Sequence, residues 1–117
     1  MSWARSTQRV LAPLIAAGVA VQFLLAGAGA FGATSFAPHR ALGWTLLLLA
    51  AIGFVVSLAA VRLVRHSGAL LFLVALQAGL GVLGADTQAW FGALHGLNAL
   101  AVLAAAGTLT RRASFAR

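Results

Sequence analysis

The sequence predicts an all-α integral membrane protein: a four-helix bundle built from two tandem helical hairpins, with both termini cytoplasmic. Three observations predict it. Of 117 residues, 62% are hydrophobic and 8% charged, and mean hydropathy is +1.02, a balance foreign to water-soluble domains. Four apolar runs of membrane-crossing length follow one another, a helix rising ~1.5 Å per residue and needing about 20 residues to cross. The arginines, finally, gather at alternate run ends. Residues 1–117 read as one four-span domain.

The first eight residues form a basic, aromatic lead-in, with Trp3 suited to the headgroup belt. Span 1 covers residues 10–32. Arg5 and Arg9 before an apolar run that reaches Ala28-Gly29-Ala30 superficially resemble a cleaved signal. The run is too long for a signal's hydrophobic region, so it reads as a retained span. Its Gly/Ala density from Ala26 to Ala33 lets a helix or a flat cofactor approach closely.

A turn from Thr34 leads to Pro38, which suits the first turn of a helix. Span 2 covers 38–64 and gives way to a basic turn with Arg62, Arg65, His66, Ser67 and Gly68. Span 3 covers 69–85. Asp86-Thr87 is a candidate N-cap for span 4, residues 88–109, with Trp90 at interface depth.

Arg5, Arg9, Arg62, Arg65, Arg111, Arg112 and Arg117 then fall on one side and Arg40 alone on the other. The positive-inside rule places the first group in the cytoplasm, which points to a bacterial inner membrane protein with N and C termini inside. Eight arginines, no lysine and one acid give a net charge of +7. Because the charges mark span ends rather than one polar face, they argue for topology and against nucleic-acid binding. Cysteine is absent, which excludes disulfides, thiolate ligands and covalent haem attachment.

The candidate site rests on two echoing stretches, Pro38-His39-Arg40-Ala41-Leu42-Gly43-Trp44 and Leu94-His95-Gly96-Leu97-Asn98-Ala99. A lone glutamine precedes each histidine: Gln22 by 17 residues, Gln77 by 18. Shifted by 55 positions, Gln22, Ala26 and Gly29 map onto Gln77, Gly81 and Gly84, one helical stripe in each case. Such a repeat relates the two hairpins by a pseudo-twofold axis along the membrane normal and brings His39 and His95 to one central site. An imidazole in hydrocarbon needs a partner or a metal. Two neutral imidazoles on facing helices are the axial set of a six-coordinate haem b, held noncovalently, with His39 and His95 as metal ligands.

Around them, Arg40 could pair with a propionate, Asn98 could orient His95, and Gly43 leaves space for the ring. Gln22 and Gln77 serve as interhelical glue or hold a polar substituent. Trp44 and Phe91 lie where they could flank a porphyrin. His95 sits about nine residues into its span and His39 near its start, a depth difference on the order of 10 Å on straight helices.

The motifs His39-Arg40-x-Leu42-Gly43, Gln77 with Leu80-Gly81, and Leu94-His95-x-x-Asn98-Ala99 carry a resemblance over residues 20–105. The chain resembles a bacterial family of small four-span membrane proteins of unknown function. More distantly it resembles one four-helix half of haem A synthase, whose histidines on the second and fourth helix of each half ligate or surround haem near the outer face. That resemblance implies haem at His39 and His95. It does not carry synthase activity: four spans stand where that family has eight, and neither the outer-loop catalytic glutamate nor outer cysteines have a counterpart. Small four-span exporters are similar in length, but they depend on a membrane glutamate that this chain lacks.

The function expected is therefore a b-type haem protein for electron transfer, haem handling or sensing, rather than an enzyme. The alternative is a cofactor-free structural or accessory subunit of a larger membrane complex. The lipid bilayer is the expected partner in either case, with a homodimer or larger complex possible.

Overall fold

A computed structural model describes residues 2–59 and 61–115, apart from the side chains of Ser2 and Arg62. Arg117 of the terminal arginine group lies outside the described residues. Among the described residues there are four helices, α1 (Ser2–Ala30), α2 (Ala37–Ser57), α3 (Val64–Asp86) and α4 (Ala89–Phe115), with a 3-10 turn at Val61–Leu63. Each is long and apolar enough to cross a membrane, which makes the chain a multi-pass membrane protein. The bundle measures 45 × 24 × 18 Å, the long axis matching a bilayer with its headgroups. Its outer surface carries large apolar side chains such as Leu24, Phe72 and Leu97, a surface suited to lipid and not to water.

Each helix touches its two neighbours, α1 with α2 and α4, α3 with α2 and α4, while the diagonal pairs do not pack backbone to backbone. The interior stripes show why the helices settle this way. Gln8, Ala12, Ile15 and Val19 on α1, then Leu46, Ala50, Gly53 and Ser57 on α2, recur every three or four residues. Leu63, Ser67, Leu70 and Val74 lead into α3, and Val102, Ala106, Leu109 and Ala113 line α4, at the same spacing. Spacing that alternates between three and four residues lets facing helices interlock along one seam.

All these fully buried residues lie in one half of the bundle, which also holds the start of α1 and the end of α4. No residue within 20–45 or 75–101 is fully buried. The packed half is termed the arginine end and the other the histidine end.

Several boundaries differ from those the sequence suggests. Helix α1 starts eight residues before the predicted span, because Ala4 and Gln8 extend its buried stripe. Helix α2 ends at Ser57 rather than at residue 64, and α3 begins at Val64, so Arg65, His66, Ser67 and Gly68 are helical rather than a turn. Helix α4 continues six residues past the predicted limit, carrying Arg111 and Arg112 into its last turns. Asp86 and Thr87 do not cap α4. Asp86 ends α3, and Thr87 turns its backbone N–H and its hydroxyl back to the Leu83 carbonyl, at 2.9 and 2.7 Å.

The two connections at the histidine end are built differently. After α1, Gly32 adopts φ +75°, a left-handed conformation that glycine reaches without steric cost. Ala33 N–H then reaches the Ala28 carbonyl (2.8 Å) and Gly32 N–H the Gly29 carbonyl (3.2 Å), the paired bonds of a Schellman stop. The chain re-enters helix with Pro38 in the first turn of α2, as expected. Between α3 and α4 there is no such loop, and only residues 87–88 intervene. A Cβ on Gly84 would lie 2.5 Å from the Gly92 nitrogen and 2.8 Å from its Cα, so the two backbones meet there directly.

Candidate functional site

His39 is the third residue of α2 and His95 the seventh of α4. The stagger between them is thus four residues, about 6 Å along the axis, less than the spans drawn from sequence imply. Although α2 and α4 stand diagonally across the bundle, their imidazoles meet over its axis. The ring centroids are 5.9 Å apart and the ring planes cross at 69°.

Each ring is fixed by the preceding helix. His95 Nδ1 lies 2.8 Å from the Gln77 carbonyl oxygen, and His39 Nδ1 lies 3.3 Å from that of Gln22. A carbonyl only accepts, so Nδ1 carries the proton in both rings and the lone pair of the neutral imidazole sits on Nε2. This is the arrangement in which protein histidines bind metals: one nitrogen held by a carbonyl, the other left as the donor. The glutamine–histidine pairing noted in sequence is therefore real in space, but the backbone carbonyl makes the bond, not the side-chain amide.

The surroundings differ between the two rings. Asn98, one turn beyond His95, donates to the Gln77 side-chain oxygen (2.7 Å) and to the Leu73 carbonyl (3.0 Å). It thereby pins the helix segment that holds His95, and it acts on Gln77 rather than on the imidazole itself. Leu42 occupies the matching place after His39, and the Gln22 side-chain oxygen is buried with no hydrogen-bond partner. Gly43 and Gly81 supply close approach: a Cβ on Gly43 would stand 3.0 Å from the Gln22 amide nitrogen, and one on Gly81 would stand 3.1 Å from the His95 ring. Arg40 is exposed beside His39. Trp44 is 56% exposed, which sets it on the lipid face and away from the rings.

Phe36 belongs to the site and escapes a reading of the sequence. Its ring meets His39 edge-on at 6.2 Å and 82°, in the space left by Gly29, where a Cβ would lie 2.9 Å from it. The loop residue covers His39 from the end of the bundle. The arginine end holds a second polar cluster that the sequence also hides. Gln8, 1% exposed, donates through its amide to the Gly53 carbonyl and, at 3.3 Å, to the Ser67 hydroxyl, joining α1, α2 and α3. The signal was available: Gln8 and Gln22 are 14 residues apart, four turns along one face of α1.

These residues fit a haem by their donor chemistry. The two ring centroids stand 5.9 Å apart, near enough for both imidazoles to serve one metal ion. Glycines at the rings, an unpartnered amide oxygen and the lack of any fully buried side chain at this end suit a flat group set among them.

Fold and site thus define a class, an all-helical multi-pass membrane bundle with a paired-histidine site at one end. No protein-family model, no characterised protein and no solved structure matches the chain.

Proposed function

We propose that this chain is an integral membrane protein that binds haem b noncovalently through His39 and His95 and serves electron transfer, haem handling or sensing. One observation carries the reading: two imidazoles from diagonal helices meet across the bundle axis, each with Nδ1–H held by a glutamine carbonyl and Nε2 left as a donor. Held by His39 and His95, the haem would supply one-electron redox chemistry rather than a substrate site. The chain's own residues do the rest. The Gln22 and Gln77 carbonyls set each tautomer, Asn98 fixes the Gln77 segment, Phe36 shields His39, and Arg40 stands ready to pair a propionate.

In this reading α1–α2 and α3–α4 are two tandem hairpins related by a pseudo-twofold axis. The arginine end faces the cytoplasm of a bacterial inner membrane, as the positive-inside rule directs, and the site lies in the outer half of the bilayer. The motifs around His39, Gln77 and His95 that resemble one half of haem A synthase would imply the same ligand pair.

The test is an absorbance spectrum of the detergent-purified protein from haem-supplemented cells, oxidised and reduced, beside His39→Ala and His95→Ala. Sharp reduced bands of low-spin haem, lost in either variant, are the expected result. A colourless wild type sinks the reading. It would favour a cofactor-free accessory subunit, for which the same two carbonyl bonds are what keeps each histidine satisfied in the membrane.

A further inference from the structure

A groove of about 240 Å³ opens between α3 and α4 at the arginine end, lined by His66, Ala69, Ala104, Ala105 and Thr108. Ala69 and Ala104 are exposed on the outer surface of the bundle, so the groove faces the hydrocarbon along its apolar length. Its polar end is built differently. Thr108 donates to the Ala104 carbonyl (2.9 Å) and accepts from Arg111 (3.4 Å), which ties the guanidinium to a residue that lines the groove. The His66 ring lies on the opposite wall, and its Nδ1 is buried with no hydrogen-bond partner. Arg65 and Arg112 are exposed one residue along from His66 and Arg111. The chain's one acid, Asp86, ends α3 at the opposite end of the bundle.

We propose that this groove seats one anionic phospholipid, its acyl chain against Ala69, Ala104 and Ala105 and its phosphate at His66 and Arg111. Charge complementarity selects the occupant. The groove is apolar where a bilayer offers chains and cationic where it offers phosphates, and an arginine near the membrane surface favours anionic lipid by about fivefold. It is also smaller than the ~300 Å³ at which enclosed small-molecule sites begin, and it is open on its lipid side. A chain lying along it fits better than an engulfed ligand. The alanine lining distinguishes the lipid from free phosphate, which would gain nothing from those residues. The proposal is independent of the haem reading, since the groove and the histidine pair lie at opposite ends.

The experiment measures thermal unfolding of the full chain in neutral detergent with added phosphatidylglycerol, phosphatidylcholine of the same chains, or inorganic phosphate. Native mass spectrometry counts the lipids retained. Wild type should be stabilised by phosphatidylglycerol, with one lipid kept about fivefold better than phosphatidylcholine, and unaffected by phosphate. Ala104→Leu fills the groove from an exposed position, so the variant should fold yet lose the retained lipid. Arg111→Gln should keep a lipid but lose most of the headgroup preference. Equal effects of the two lipids on wild type, an equal effect of phosphate alone, or undiminished phosphatidylglycerol binding in Ala104→Leu each overturn the proposal.

Discussion

The two ends of this bundle use one helical spacing for opposite purposes. At the arginine end the interior stripes carry Ile15, Leu46, Leu70, Val102 and Leu109 and close into a packed core. At the histidine end the same stripes continue as Gln22, His39, Gln77, His95 and Asn98, and no residue is fully buried. Helices in lipid gain little by hiding apolar groups from one another, so packing contacts and hydrogen bonds hold them together. The arginine end relies mainly on packing, reinforced by the Gln8 cluster. The histidine end relies on hydrogen bonds to backbone carbonyls and on one glycine–glycine contact. Close packing sits at one end, and room with polar groups at the other.

The sharpest break in that comparison is Leu70→Ala against Leu97→Ala. Leu70 is 1% exposed in the packed half, and Leu97 is 65% exposed at the histidine end. Removing Leu70 should cost about 2 kcal/mol, near the low end for a core leucine because transfer from water adds little here. Leu97→Ala should stay within about 0.5 kcal/mol. Unfolding in mixed micelles compares the two, and equal losses would mean that the packing contrast has no energetic content.

Next in size is Gly84→Ala. The added Cβ would meet Gly92 backbone, which cannot rotate away, so α3 and α4 must part at a cost of about 1–3 kcal/mol. Gly27→Ala, with nothing within 4 Å of its Cβ, should instead gain up to about 1 kcal/mol from helix propensity. The same unfolding assay reads both, and a stabilised Gly84→Ala would show that the backbones do not touch there.

A smaller loss of stability sharpens the comparison within the site. Asn98→Leu gives His95 the neighbour that His39 has in Leu42, and it removes the bonds to Gln77 and Leu73. Stability should fall by about 1 kcal/mol. If haem is bound, its affinity should fall by about tenfold, with the low-spin spectrum retained. Titration of the haem-free protein measures it, and unchanged affinity would show that Asn98 holds the helices and not the site.

The sequence alone determined the class of protein. Composition, run length and the placing of arginines at run ends are read directly from the chain, and the first two are enough to predict four membrane-crossing helices. The glutamine–histidine spacing also carried over, because 17 or 18 residues down one helix and back into the next returns the chain to the same depth. Pro38 marked the start of α2 correctly, since its fixed backbone and missing N–H suit that position. Asp86-Thr87 misled, because a hydroxyl that can cap one helix can equally fold back on the end of another.

The internal repeat leads to the expectation that His39 and His95 share one site, but only the tertiary structure decided how closely the two rings meet and which nitrogen each carbonyl holds. It also decided that Gln77 is tied and Gln22 is not, that Phe36 covers His39, and that the core fills one end alone. Those outcomes depend on the rotation and stagger of each helix against two neighbours at once. A one-dimensional pattern can say which face of a helix turns inward, but not what it finds there.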